Sequence, residues 1–501
     1  MHPAELGKED WYSGHLDVGD GHQVYFEVHG AENGVPALVV HGGPGAGCYL
    51  NHTRFFDLER YKVVLLDQRG CGRSTPRGCL SANTTQHLVS DMEALRRHLG
   101  LSRWLLFGGS WGVALSLAYA LQHPDRVLAM VLRGVCTMRD SEIHWMFGGG
   151  AGALKPWAWQ RFLDHLGDDP ADRANPLLAY YARLLSPDAN VRDAAARSWM
   201  ELEMAVGFDS RSQLLDWDGE RWAYETFPAA PDSRKPLSAL QPRPASSSPV
   251  SAAPTSTPRP SATEANAKAA AAGPAAAAAE LLARGLAFRG DARMSGSTAQ
   301  ALLECHYSVH GAFLRGSSTT TTTRNGNGSS TDGSSTGISS RSLSSVGGSM
   351  DGDQPGTLPR PQRPGPRSRQ PPPPALAPTS SPSSPAVPPA ARATPSHWPP
   401  LLHSVGSGRL SGIPAVAVHG QLDFVCPATT AYELCRAWPE LRLRLVPGAG
   451  HSMYDPAITH ELVEATRLLY DAAAARYYGG SGDGDAGVGI GSSGSAGGSK
   501  G

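Results

Sequence analysis

Ser110, Asp423 and His451 are three side chains whose types could together attack a carbonyl. A serine hydroxyl is a weak nucleophile until an imidazole takes its proton, and a carboxylate must hold the imidazole tautomer and stabilise the imidazolium. Each of the three stands just past an apolar run. Leu105-Leu106-Phe107 precedes Gly108-Gly109-Ser110-Trp111-Gly112, residues 413–418 precede His419-Gly420-Gln421-Leu422-Asp423, and residues 441–446 precede Pro447-Gly448-Ala449-Gly450-His451. The segment 113–121 after the serine is rich in Ala and Leu. Strand, glycine-flanked turn and helix make a nucleophile elbow, in which the turn strains the serine backbone so that Oγ projects above the sheet. One Gly-x-Ser-x-Gly means little in a chain with 57 glycines. The order Ser, Asp, His, each at a strand end, means far more.

A second signal is His41-Gly42-Gly43-Pro44-Gly45, directly after the buried strand Ala37-Leu38-Val39-Val40. Glycines let backbone N–H groups approach an oxyanion, and the residue after the nucleophile supplies another donor. The expected oxyanion donors are the N–H groups of Gly43 and Trp111.

The elements that must position these groups alternate strand and helix. Strands are expected at 22–29, 37–40, 61–66, 104–107, 126–132, 413–418 and 441–446. Helices are expected at 85–99, after Ser110, at 429–438 and at 457–475. This spacing describes βαβ units and a mainly parallel sheet. Residues 141–209 carry helical patterns and four tryptophans with no β-rich run, and read as the first part of a helical cap. The expected divisions are a core in two pieces, 10–140 and 397–476, and a cap in two pieces, 141–209 and 298–315. Two low-complexity insertions, 210–297 and 316–396, and a tail, 477–501, complete the chain. The first insertion is expected to be mostly disordered apart from a short alanine helix near 275–285. Such tracts cannot bury enough apolar surface to offset about 1–2 kcal/mol per residue of backbone ordering.

A net charge of −1 gives no reason to expect nucleic acid or an anionic membrane as partner. No run of 18 apolar residues exists, so no membrane span is expected. The seven cysteines contain no CxxC pair and read as reduced thiols in a cytoplasmic setting. No HExxH, Cys/His ligand spacing or dinucleotide fingerprint is present, so neither metal nor cofactor is expected.

HGGPGAG (41–47), DQRGCGRSTP (67–76), NTT (83–85), GGSWG (108–112), the LRG at 132–134 and GHS (450–452) resemble the proline iminopeptidases. The resemblance implies an α/β-hydrolase fold with a helical cap, and a serine aminopeptidase acting on short peptides with a free N-terminus. It implies Ser110, Asp423 and His451 as the triad. Trp199-Met200-Glu201-Leu202-Glu203 is similar to the family's W-x-x-W-E, and Glu304-Cys305-His306-Tyr307 to its E-x-H-Y. These place Glu203 and Glu304 on the glutamates that hold the substrate amine. Where the family lines its proline pocket with aromatics, this chain has Cys136, Met146 and Ser308, with Phe147 nearby to compensate. Gln421 stands where the family usually has arginine.

Three other readings compete. One is an esterase or amidase using the same triad on small acyl substrates. Another is a catalytically silent hydrolase-fold binding protein. The last is a scaffold whose Pro/Arg tract docks SH3- or WW-type domains.

Overall fold

The computed structural model describes residues 11–207, 213–217, 222–226, 273–314 and 401–479. The disorder expected for most of 210–297, for 316–396 and for most of the tail lies outside these residues.

Ten strands occur among the described residues: β1 (Trp11–Gly19), β2 (His22–Gly30), β3 (Val35–Val40), β4 (Tyr61–Leu66), β5 (Trp104–Gly109), β6 (Val127–Arg133), β7 (Gln213–Trp217), β8 (Trp222–Thr226), β9 (Ala415–Gly420) and β10 (Leu441–Val446). Eight form one sheet in the order β1-β2-β4-β3-β5-β6-β9-β10, and β7 and β8 pair separately. The β1–β2 and β2–β4 pairs are antiparallel; every other pair in the large sheet is parallel. Met130–Arg133 of β6 pair with Ala415–Val418 of β9, which joins two pieces of chain nearly 300 positions apart.

The central strands read as unbroken apolar runs because both faces are covered. In β3, Leu38 and Val40 face one cluster, shared with α1 (Thr85–His98) and α2 (Trp111–Gln122), while Ala37 and Val39 face the other. That second face is roofed by the C-terminal helix Pro456–Tyr478, through Ile458, Leu462, Ala465 and Leu469. Strand β1 was not expected. It is a largely exposed edge strand in which only Leu16 and Val18, alternating across Asp17, pack against the core, too short an alternation to announce a strand.

Between β6 and β9 the chain builds the cap from α3 (Asp140–Phe147), α4 (Pro156–His165), α5 (Pro170–Ala174), α6 (Pro176–Leu184), α7 (Ala189–Gly207), α8 (Gly273–Leu286) and α9 (Gly296–Val309). Phe162, Tyr180, Tyr181, Trp199, Leu302 and Leu303 form its apolar centre. Helix α8 falls where a short alanine helix is expected and is mostly exposed, whereas the stretch 287–297, expected to be disordered, is anchored to its surroundings. Phe288 O accepts from the N–H groups of Leu80 and Ser81 at 3.0 Å each, Arg192 pairs with Asp291 at 2.8 Å, and Met294 is buried. Alanine-rich composition hid these few anchors. The β7–β8 pair likewise falls inside the stretch expected to lack structure.

The α9 segment is tied to the core through the NTT motif. Asn83 Oδ1 accepts from Tyr307 Oη at 2.9 Å, and Thr85 Oγ1 donates to Ala312 O.

Candidate active site

The elbow forms where β5 meets α2. Ser110 has φ 55° and ψ −124°, a strained conformation that is held only because its surroundings fix it. A Cβ on Gly112 would lie 2.0 Å from Val40 O, so this position admits only glycine. The His41–Gly45 loop passes against the elbow: a Cβ on Gly42 would lie 3.1 Å from Gly109 O and 3.3 Å from Ser110 Cβ. That adjacency brings Gly43 to the serine. Trp111 is the first residue of α2, so its N–H has no carbonyl partner inside the helix. The DQRG motif fastens this loop. Gln68 N–H donates to His41 Nε2 at 3.1 Å, Gln68 Nε2 donates to His41 O at 3.0 Å, and Trp111 Nε1 donates to Gln68 Oε1 at 3.0 Å.

Asp423 and His451 meet beyond β9 and β10. His451 Nδ1 donates to Asp423 Oδ2 at 2.8 Å, which leaves Nε2 as the basic nitrogen. Asp423 Oδ1 accepts from the N–H groups of Val425 and Cys426 at 3.1 and 2.8 Å. Burial alone would raise the Asp423 carboxyl. His451, His419 and the Cys426 N–H outweigh it and hold the group below its ordinary value. Arg133, at the end of β6, donates from Nη1 to His451 O at 2.9 Å and to His451 Nε2 at 3.2 Å. Ser110 and His451 line one cavity of 690 Å³, and Ser110 Oγ also lies 4.0 Å from Cys426 Sγ.

Glu203 on α7 and Glu304 on α9 face the same two cavities. Trp199 Nε1 and Gln300 Nε2 each donate to Glu304, at 2.9 Å. Burial raises both carboxyls, and the charge of Glu304 pushes Glu203 further up. Two carboxylates this close retain a proton between them until a cation arrives.

A smaller cavity of about 60 Å³ adjoins. Its lining includes Cys136, Met146, Phe147 and Ser308 together with Ser110, Glu203 and Glu304. Phe147 stacks on Trp199 at 4.1 Å, so the ring on the pocket wall and the indole that holds Glu304 brace one another. Gln421 is exposed and lines neither cavity.

Sequence reasoning missed Arg133, Gln300 and the buried His419, whose Nε2 donates to Cys426 O at 2.8 Å beneath Asp423. The arginine of LRG and the glutamine one turn before Glu304 were visible, but neither type in isolation announces a site. Among the described residues, Asp423, Cys426 and His451 are a trio with metal-ligand chemistry, their atoms within 4.8 Å of one another. Asp423 and His451 are already bonded to each other there. No helix among the described residues is long and apolar enough to cross a membrane.

A family model for the alpha/beta hydrolase fold matches residues 36–224. The chain is 47% identical over 201 residues to a protein named proline iminopeptidase from Arabidopsis thaliana, covering 40% of this chain and 52% of that one. Identity is 44% over 198 residues to the proline iminopeptidase of Neisseria gonorrhoeae, covering 39% and 63%. These matches span between half and two thirds of the relatives' own length. A proline iminopeptidase from Xylella fastidiosa strain 9a5c is 46% identical over 453 residues, covering 90% of this chain and 95% of that one.

Proposed function

The chain belongs to the proline iminopeptidase family, and on that premise we propose that it is a serine exopeptidase releasing N-terminal proline from short peptides. The observation that carries this reading is the pair of half-buried Glu203 and buried Glu304, set where the two cavities meet beside Ser110. An exopeptidase must measure the free end of its substrate. A secondary ammonium leaving water needs carboxylates to receive it. An esterase for neutral acyl groups has no use for two carboxyls held at the cost of their desolvation.

In this mechanism the prolyl ring enters the smaller cavity against Phe147, and its ammonium displaces the proton shared by Glu203 and Glu304. Ser110 Oγ attacks the carbonyl while His451 Nε2, once turned from the Arg133 Nη1 donor that it faces in this structure, takes its proton, and Asp423 stabilises the imidazolium. The N–H groups of Gly43 and Trp111 receive the oxyanion, each worth about 3–4 kcal/mol of transition-state stabilisation. His451 then protonates the leaving amine. Water, activated by the same imidazole, hydrolyses the prolyl ester on Ser110. Cys136, Met146 and Ser308 line a softer pocket than aromatic rings would, which favours admission of other small N-terminal residues. The seven free thiols support a reducing, cytoplasmic location.

Two measurements test the proposal. A fluorophosphonate should label Ser110 and fail to label Ser110→Ala. Glu304→Gln should slow hydrolysis of prolyl arylamides far more than that of neutral esters; equal losses on both would favour the esterase.

A further inference from the structure

The larger cavity extends beyond what an aminoacyl group needs. Gly43, Ser110, Glu203 and Glu304 line both cavities, whereas Tyr49, Asn51, Arg54 and Tyr454 line only the larger. The acids and the serine therefore stand where the two cavities meet, and Arg54 lines the part of the larger cavity that the smaller one does not share, where a leaving peptide would lie. Its volume of 690 Å³ falls in the range that encloses a ligand of drug or short-peptide size.

We propose that Arg54 is the subsite for the C-terminal carboxylate of the leaving peptide, which makes di- and tripeptides with a free carboxylate the preferred substrates. The inference rests on the exopeptidase reading and adds the far end of the substrate to it. Arg54 sits on the 3-10 turn Leu50–Phe55, is exposed, and has no acidic partner among the described residues. Its guanidinium lies 5.9 Å from the ring centroid of Tyr454, and the Tyr454 hydroxyl is in turn bonded to that of Tyr49. This brace limits where the guanidinium can go. The other cations on the cavity are unsuited. Arg133 is buried beside Gly109 and engages His451, and burial lowers His52 to about 3, so it stays neutral. A guanidinium offers paired N–H donors to a carboxylate. A zwitterionic peptide would then be held at its ammonium by Glu203 and Glu304 and at its carboxylate by Arg54, with the scissile carbonyl between them.

The test compares Pro-Gly-Gly as the free acid with the same peptide as its C-terminal amide. The wild type should favour the acid by about three- to tenfold in kcat/KM, the size of a partly exposed ion pair, with the difference in KM. In Arg54→Leu the acid-to-amide ratio should fall to about one, and Arg54→Lys should keep part of the preference. Calorimetric binding of both peptides to Ser110→Ala reads the same preference without turnover. A wild-type ratio near one, or a ratio that Arg54→Leu leaves unchanged, overturns the subsite. Failure to hydrolyse prolyl arylamides, which carry no carboxylate, would instead strike the exopeptidase reading.

Discussion

Glu203, half-buried, and Glu304, buried, line the same cavities, where desolvation raises both carboxyls and the charge of Glu304 raises Glu203 further. The native state therefore holds more protons than the unfolded chain in the window between the ordinary glutamate value and the raised one. Stability should be highest below that window and fall as pH rises through it. Glu203→Gln removes one charge and leaves an amide that can donate to Glu304. Its urea midpoint at neutral pH should rise, its decline with pH should flatten, and turnover of prolyl arylamides should fall by about a hundredfold or more, as for a lost charge-assisted bond. A midpoint that drops at every pH would show that the pair stabilises the fold. These two residues were legible because each sits in a short motif that the family shares. Arg133 and His419 were not. Their parts depend on which strand ends meet, and neighbouring residues in the sequence say nothing of that.

The elbow and the loop beside it carry the precision of the site. With Val40 O only 2.0 Å from the place a Cβ would occupy, Gly112→Ala must push α2 away from β3. We expect it to cost about 1–3 kcal/mol of stability, as overpacking does, and to abolish measurable kcat; an alanine variant with wild-type turnover would show that the elbow tolerates displacement. Strands such as VPALVV and VLAMVLR were readable because parallel strands buried on both faces are continuously apolar. The exposed edge strand β1 and the packed turn around Phe288 and Met294 were not, since each depends on few apolar residues and on partners distant in the chain.

At the scale of the molecule, every residue assigned a part in the chemistry lies outside 315–400. Leu314 and Leu401, which flank that stretch, belong to one apolar cluster, so a short linker suffices to join them. Removing residues 320–394 leaves 11 residues between those two leucines, a reach of about 35 Å when extended. The shortened enzyme should keep its thermal midpoint within a few degrees and its kcat/KM within about twofold, because loop closure varies only slowly with length. A collapse of activity would show that the deleted tract contributes to the cap.

The account depends most on an ammonium-reading serine centre, and the hydrolysis of prolyl arylamide against N-acetylprolyl arylamide by the purified protein tests it most directly. The free secondary amine should be turned over with saturation, and acetylation should reduce kcat/KM by about a hundredfold or more, since a neutral amide leaves the two glutamates without their cation. Equal rates on the two substrates would contradict it.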